Sequence, residues 1–539
     1  MTRRDHLIFV GVALLIAGYM VYGVYNRPTY TDAYYYINAA NRLSRGDGLT
    51  DEYLWTYIGA PDELPAPSHL YWMPMPSLTA AFGMWLFNAP EDYRAAQFPY
   101  WLMLALLGYT GFWLGARLGG TRRHAWAAGL IVLFGGFFAR YWGVIESFTP
   151  FGVFGAGCLV ALGRGMVTRQ RWWFVLAGAL AAGAHLSRAD GLLFVIAGIA
   201  ALLWVFLFDR DEKKALSLLL SFWKERREII RISGFTVSII FAYVVVMSPW
   251  AVRNLQLIGS PLPVGGAQGI WYTEYNDIFA YPPDATPQTF WQSGGWSLLL
   301  ESRWQGLSTG IGTFIAIEGV IVLAPLMLIG LWNRRRDPFL TPFWIYVVGL
   351  HLAMTLVFPF PGSRGGLFHS ATALFPFWAA LGIVGLDDLV DWVVKRRRRW
   401  NPIQAKRVFT GAVLVIVLAL TILSLPAPTP FVPPIPDASL DDLPADARVM
   451  INDPAQLYYW TGRGGVVLPD NAAPDVIPEI AAQYDIDYLF LEFVTEDGIA
   501  LAAPEGIADI PANTPAFLTE IPLDDDRVRL YRIDVDTTE

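Results

Sequence analysis

Residues 70–88 read LYWMPMPSLTAAFGMWLFN, and the topology of the chain turns on whether this stretch crosses a bilayer. A crossing helix needs about 20 apolar residues, because the hydrocarbon is roughly 30 Å thick and each residue rises about 1.5 Å. Eleven other stretches meet that need, near 7–25, 97–117, 125–141, 148–163, 172–187, 190–208, 232–250, 311–332, 339–358, 369–386 and 408–425. If 70–88 stays on one side, the basic residues sort by face. The N-terminal end and segments 117–124, 164–171, 208–231, 333–337 and 387–407 then share a side and hold 25 of the 39 Lys and Arg, including all five lysines. The larger opposite loops hold 14, all Arg. That is the positive-inside pattern, with Lys395 to Arg399 as its strongest orientation signal. A crossing at 70–88 would invert every later loop and erase the bias. Its Pro74, Pro76 and aromatic residues suit a helix lying in the outer interface instead.

The expected fold is therefore an α-helical polytopic membrane protein with about eleven transmembrane helices and additional outer-interface helices. It sits in the plasma (inner) membrane as a multi-pass protein with a cytoplasmic N-terminus. The first span is not read as a cleaved signal peptide, because VYGVYNRPTY lacks a small-x-small cleavage site. Composition agrees: 54% of the 539 residues are hydrophobic and only 16% charged, against about a quarter charged in soluble proteins. One cysteine, Cys158, excludes an intrachain disulfide or a Cys-based zinc cluster. Residues 427–539 carry a net charge of −17, leaving +9 on the rest, so nothing points to nucleic acid. The reading divides the chain into a membrane module at 1–426, a Pro-rich linker at 427–440 and an acidic extracytoplasmic α/β domain at 441–539. In that domain the strand-like runs ARVMI, GVVLP, DYLFLEF and VRLYRI alternate with helix-like DPAQLYYWTG and PDVIPEIAAQY.

Ionisable side chains are costly inside a membrane unless they face water or one another. The spans carry few, Glu318 and His351 being exceptions. The outer segments, 26–96, 251–310 and the short turns, carry the rest. In the first, PTYTDAYYYINAANRLSRGDGL holds Asp32 near the membrane surface, ahead of an amphipathic helix with Tyr36, Ala39, Ala40 and Leu43 on one face. Asp32 reads first as a helix cap, and compatibly as a catalytic acid. Glu146 lies in the second outer loop beside the start of span 148–163, with Arg140 nearby. HLSRADGLL packs His185, Arg188 and Asp190 together, a pattern that also suits a local Arg–Asp pair. Arg253 and Asn254 follow span 232–250, and FPFPGSRGGLFHS sets Arg364 among glycines with His369 close behind. Arginine in every outer turn runs against the positive-inside rule and points to an anionic ligand, most naturally a lipid phosphate, since a guanidinium fork suits phosphate oxygens. The aromatic loop 265–296 reads either as a cover over the site or as an interfacial anchor.

These motifs, taken in order, resemble the GT-C class of multi-span glycosyltransferases, in particular the family 39-like members and the aminoarabinose and galacturonosyl transferases. Thr31-Asp32-Ala33-Tyr34 with Ala39-Ala40 and Gly46 resembles their acidic first loop, and Pro67-Ser68-His69-Leu70-Tyr71 their HPPLY segment. Ala116-Arg117-Leu118-Gly119, Glu146-Ser147, Ser187-Arg188-Ala189-Asp190-Gly191 and Pro249-Trp250 with Arg253-Asn254, Gly259 and Pro261 resemble later motifs, over roughly residues 1–390. The second acid is Glu where many relatives have Asp, and His69 is displaced by two positions. The resemblance implies sugar transfer from a polyprenyl-phosphate donor to a lipid, glycan or protein acceptor on the non-cytoplasmic side. Asp32 is then the catalytic base or a metal-linked carboxylate, and Glu146 holds the acceptor or shares a divalent cation (Mg or Mn) with it. Arg253, Arg364 and Arg188 are expected on the lipid phosphate. Tyr34, His69, Asp190, Asn254 and His369 complete the acceptor or pocket set. The competing readings are a transporter or flippase of lipid-linked glycans and a non-catalytic membrane assembly protein. The first is disfavoured by the lack of a repeat and of a midplane charge cluster, the second by the charged outer turns.

Overall fold

The computed structural model describes residues 1–59, 61–208, 226–263, 265–397, 401–426, 440, 443–470, 474–492, 507, 510–523 and 528–534. The linker at 427–439, most of segment 208–231 and the end of the basic run at 398–400 lie outside the described residues.

Helices dominate. α1 (Arg3–Gly18) continues through a wider turn to Gly23 and is followed by α2 (Thr31–Arg45), α3 (Met75–Phe87), α4 (Tyr93–Gly119), α5 (Arg122–Phe134) and α6 (Phe148–Thr168). Next come α7 (Arg171–Ser187), α8 (Leu193–Phe208), α9 (Arg226–Ile258), α10 (Gly295–Thr313), α11 (Ala324–Arg334), α12 (Thr341–Leu352), α13 (Phe375–Arg396) and α14 (Pro402–Ser424). Among the described residues, seven helices are long and apolar enough to cross a membrane, and an eighth is a pair bent by 70°, Pro359–Ala373 with Phe375–Arg396. The chain is thus a polytopic α-helical membrane protein. α7 and α8, expected as full spans, have 17 and 16 residues, a little short of a full crossing.

α3 begins at Met75, immediately after Pro74, and has only 13 residues. Its length of about 20 Å falls well short of the hydrocarbon thickness. The expected span 311–332 is broken rather than straight. The helix leaves α-geometry at Phe314–Glu318, and Val320 and Ile321 then take left-handed backbone angles, φ 42° and 62°, before α11 starts. Two β-branched residues in that region are strained. Buried Glu318 sits at this break, where its carboxylate accepts the Trp378 indole N–H at 2.6 Å and faces His351 Nε2 at 3.0 Å. Helices approach closely where side chains are absent: a Cβ on Gly385 would stand 1.9 Å from the Leu326 carbonyl oxygen, between α13 and α11.

The tail folds as expected in its parts, with β4 (Val449–Ile451), α15 (Pro454–Thr461), β5 (Gly465–Val467), α16 (Ile477–Tyr484), β6 (Tyr488–Glu492) and β8 (Val528–Ile533). Two further strands join this sheet, β7 (Leu518–Ile521) and, from the first outer loop, β2 (Tyr53–Leu54). The sheet order is β2-β5-β4-β6-β8-β7, with β2 parallel to β5. The tail sheet is therefore completed by a strand about 400 residues earlier. β1 (Thr50–Asp51) and β3 (Ala66–Pro67) form a separate antiparallel pair in that loop.

Candidate active site

Asp32, Glu146 and His369, far apart in sequence, each offer one ligand-type atom, and these atoms lie within 4.8 Å of one another. Asp32 stands in the first turn of α2. The residue before the helix, Tyr30, is extended, and no side chain caps that end. Asp32 thus makes no capping bond, although a carboxylate in a first turn complements the helix dipole. α2 stops at Gly46, whose φ of 100° favours glycine.

Glu146 occupies the link between α5 and α6 and is buried. One carboxylate oxygen accepts the Ser147 hydroxyl at 2.8 Å, and the other accepts the Phe148 N–H at 3.1 Å. Glu146 thereby serves the unpaired N–H groups at the start of α6, which in turn favour its charged form. His369 follows a tight turn whose Gly365 has φ 126°, a conformation that only glycine adopts without strain. Its Nδ1 lies 2.7 Å from the Gly365 carbonyl, which can only accept, so Nδ1 carries a proton. Nε2 is then directed at Glu146 Oε1, 3.1 Å away, and the ring stacks on Phe148 with centroids 4.0 Å apart. Beside them the Arg188 Nε–H donates to Asp190 at 3.2 Å and to Ser370 Oγ at 3.2 Å, while the Ser370 hydroxyl donates to Asp190.

The two acids are driven in opposite directions. Burial, and then the nearby Glu146 charge, push Asp32 up to about 7. Burial also works to raise Glu146, but the His369 ring and its hydrogen bond, with Ser147 and Arg188, hold it below the ordinary carboxylate value. Two neighbouring carboxyls so separated can play different roles, one exchanging a proton near neutrality and the other staying ionised.

No protein-family model and no curated protein sequence matches this chain. Among solved structures it resembles the apo oligosaccharyltransferase of Archaeoglobus fulgidus, with a TM-score of 0.50 and 13% identity over 91% of this chain and 70% of that one. This chain has the GT-C glycosyltransferase fold. The same archaeal enzyme, AglB, in complex with an inhibitory peptide and a dolichol-phosphate, matches at 0.50 and 13% over 90% and 69% of the two chains. ArnT from Cupriavidus metallidurans bound to undecaprenyl phosphate matches at 0.49 and 12% over 98% and 97%. At such identities the likeness is one of fold.

Within this GT-C frame the other expected residues divide. Arg364 is exposed, with its guanidinium over the Tyr275 ring at 4.9 Å. Tyr275 in turn lies in the fields of Asp32, Arg364 and Arg188, and Tyr71 in those of Arg188 and Asp32. The aromatic loop 265–296 thus reaches the site through Tyr275. Arg188 and Asp190 form the local pair that their spacing suggested and also sit beside the acids.

Arg253 is placed elsewhere. Its guanidinium donates to the carbonyls of Ser68 at 2.8 Å and Leu49 at 3.2 Å, and stacks on Trp250 at 4.6 Å. Its electrostatic neighbours are Tyr35, Asp51 and His69. It ties the first outer loop to α9, with Asn254 accepting from it at 3.2 Å. His69 is buried in the same cluster, its Nε2 3.1 Å from Ser77 Oγ, and burial pushes it down to about 3, so it is neutral there. Tyr34 is buried against Tyr459 and Trp460 of the tail. Cys158 is buried beside the Ala177 carbonyl, in a packing role.

The donor set suits a divalent cation. Asp32 and Glu146 supply oxygens, and His369 presents Nε2 while its other nitrogen donates to a backbone carbonyl, as metal-bound histidines commonly do. His369 was expected only as a pocket residue. Its part in the trio depends on the Gly365 turn, which residue spacing does not reveal.

Proposed function

We propose that this protein transfers a sugar from a polyprenyl-phosphate donor to a hydroxyl or amine acceptor on the non-cytoplasmic side of the membrane. The observation that carries the reading is the trio of half-buried Asp32 and His369 around buried Glu146, in which one carboxyl sits near neutrality beside another held ionised. In the reaction the acceptor atom attacks the anomeric carbon. The bond from that carbon to the phosphate oxygen breaks, and its electron pair leaves with polyprenyl phosphate. The acceptor's proton passes to Asp32, which is a competent base above about pH 7.

The growing phosphate charge is met by Arg364, exposed at the rim, and by the half-buried Arg188, fixed charges of the kind that contribute most to such catalysis. Glu146 keeps His369 oriented and offsets the positive charge of Arg188. A Mg or Mn ion held by Asp32, Glu146 and His369 would supply further neutralisation of phosphate charge. An exposed arginine next to apolar helix faces also suits a lipid whose tail lies along the spans. The likeness in fold to AglB, captured with a dolichol-phosphate, supports that donor class.

The test is incubation of purified protein with a panel of polyprenyl-phosphate sugars, scoring free polyprenyl phosphate. The wild type is expected to release it and Asp32→Asn to fall by at least about 100-fold, the scale of a lost general base. Equal release by the folded variant would remove Asp32 from the mechanism.

A further inference from the structure

The acidic tail has no role in the transfer as described so far, yet it touches the helix that carries Asp32. The Thr31 hydroxyl, one residue before Asp32, donates to Asp453 Oδ2 at 2.6 Å. The other Asp453 oxygen accepts the Gln456 N–H at 2.9 Å and so caps α15 of the tail. Each oxygen of this carboxylate has a separate task, one inside the tail and one on α2. Tyr30, the residue before α2, makes no capping bond, and Thr31–Asp453 ties the start of the helix to the tail.

The contact continues down the helix. The Asn38 amide donates to the Ala455 carbonyl at 2.8 Å, and Arg42 donates to Tyr458 Oη at 3.3 Å. Tyr34 Oη accepts the Trp460 indole N–H at 3.2 Å. Residues 31, 34, 38 and 42 repeat at three- and four-residue steps, so they form one stripe of α2. Asp32 lies about 100° round from Thr31, next to Tyr36, which feels the charges of Glu146 and Asp32. α2 is thus two-faced, gripping the tail along one stripe and carrying the acid on another. The β2–β5 pairing fixes the same loop to the same domain a second time.

We infer that the tail is a positioning element of the transfer centre, in which Asp453, acting through Thr31, sets the first turn of α2 and with it Asp32. This rests on the reading of Asp32 as the base. Rotating or lifting that turn by about an ångström would move the carboxylate away from the acceptor, a displacement that can cost up to about 100-fold in rate. Substrate binding at the rim would be left intact. Asp453 is therefore a positioning residue and touches no reacting atom.

The experiment uses the full-length protein in nanodiscs, with the polyprenyl-phosphate sugar most rapidly cleaved in the panel above. Thr31→Val removes the donor while keeping the side-chain shape. Asp453→Ser retains a cap for α15 but is too short to reach Thr31. Each is expected to lower kcat roughly 10- to 100-fold with donor KM within about twofold, and Thr31→Ser to restore kcat. The double variant should lose no more than the worse single one, because both changes break the same bond. Hydrogen exchange of the peptide covering residues 31–38 should quicken in Thr31→Val and not in Thr31→Ser. Wild-type kcat in Thr31→Val, or multiplying losses in the double variant, would overturn the inference, as would Thr31→Ser being as slow as Thr31→Val. If Asp32→Asn is fully active, the reading of Asp32 as the base fails. The exchange contrast is independent of turnover and still decides whether Thr31 and Asp453 hold the turn.

Discussion

Asp32 is placed where ionising it works against the fold, and replacing it should therefore make the protein more stable while making it inactive. Burial and the Glu146 charge push its carboxyl from an ordinary 3.8 to about 7. A raised carboxyl binds a proton in the folded state that the unfolded chain has already released. The stability penalty is therefore absent below about pH 4, grows between 4 and 7, and is complete above 7. A shift of about three units at 1.36 kcal/mol each makes it roughly 4 kcal/mol. Asp32→Asn keeps the size and polarity of the side chain and removes the charge. Its thermal midpoint in detergent with EDTA should exceed the wild type's by roughly 2–4 °C at pH 8, since a chain this long moves by about a degree per kcal/mol. The gain should shrink as pH falls and disappear below about pH 4. Wild-type transfer should show an acid limb near pH 7, to be read as a property of the coupled Asp32–Glu146 pair. A variant no more stable than the wild type at pH 8, or a difference that does not vary with pH, would refute the placement of Asp32 as a strained acid.

Arg364→Ala should lower kcat/KM for the donor by roughly tenfold, with kcat falling as well as KM rising, the effect of losing one charged contact of about 1.5 kcal/mol that strengthens as the phosphate charge grows, measured by initial rates against donor concentration. Arg253→Ala should leave donor KM unchanged but lower stability by about 1–3 kcal/mol, because it frees the Leu49 and Ser68 carbonyls; denaturation in detergent checks this. Treatment with EDTA should depress transfer, and Mn²⁺ should restore it; His369→Ala should weaken Mn²⁺ binding by at least about tenfold, read by titration calorimetry.

Much of this was legible in residues. Length and hydropathy identify the long spans, and the distribution of arginine singles out the outer turns from which Glu146, Arg188, Arg364 and His369 come. Alternation and turn residues locate α15, α16 and four tail strands. What escaped reading is long-range. β2 has only two residues, and a strand that short has no period to detect. The Asp453–Thr31 bond links positions more than 400 apart, and nothing local in DPAQLYYWTG distinguishes a carboxylate that only caps from one that also reaches another helix. Arg253 shows a related effect. An arginine at the end of a span reads as a phosphate ligand, but the loop at 49–68 returns over it and supplies backbone carbonyls. The broken helix at 314–323 was hidden because apolar composition reports length and not the path of the backbone.

The central claim is that lipid phosphate and acids meet at one outer centre, and a structure of the full-length protein in nanodiscs with undecaprenyl phosphate tests it directly. Density for the phosphate between Arg364 and the Asp32–Glu146–His369 trio is the expected result. Phosphate seated on Arg253, or on the face that bears the lysines, would contradict it.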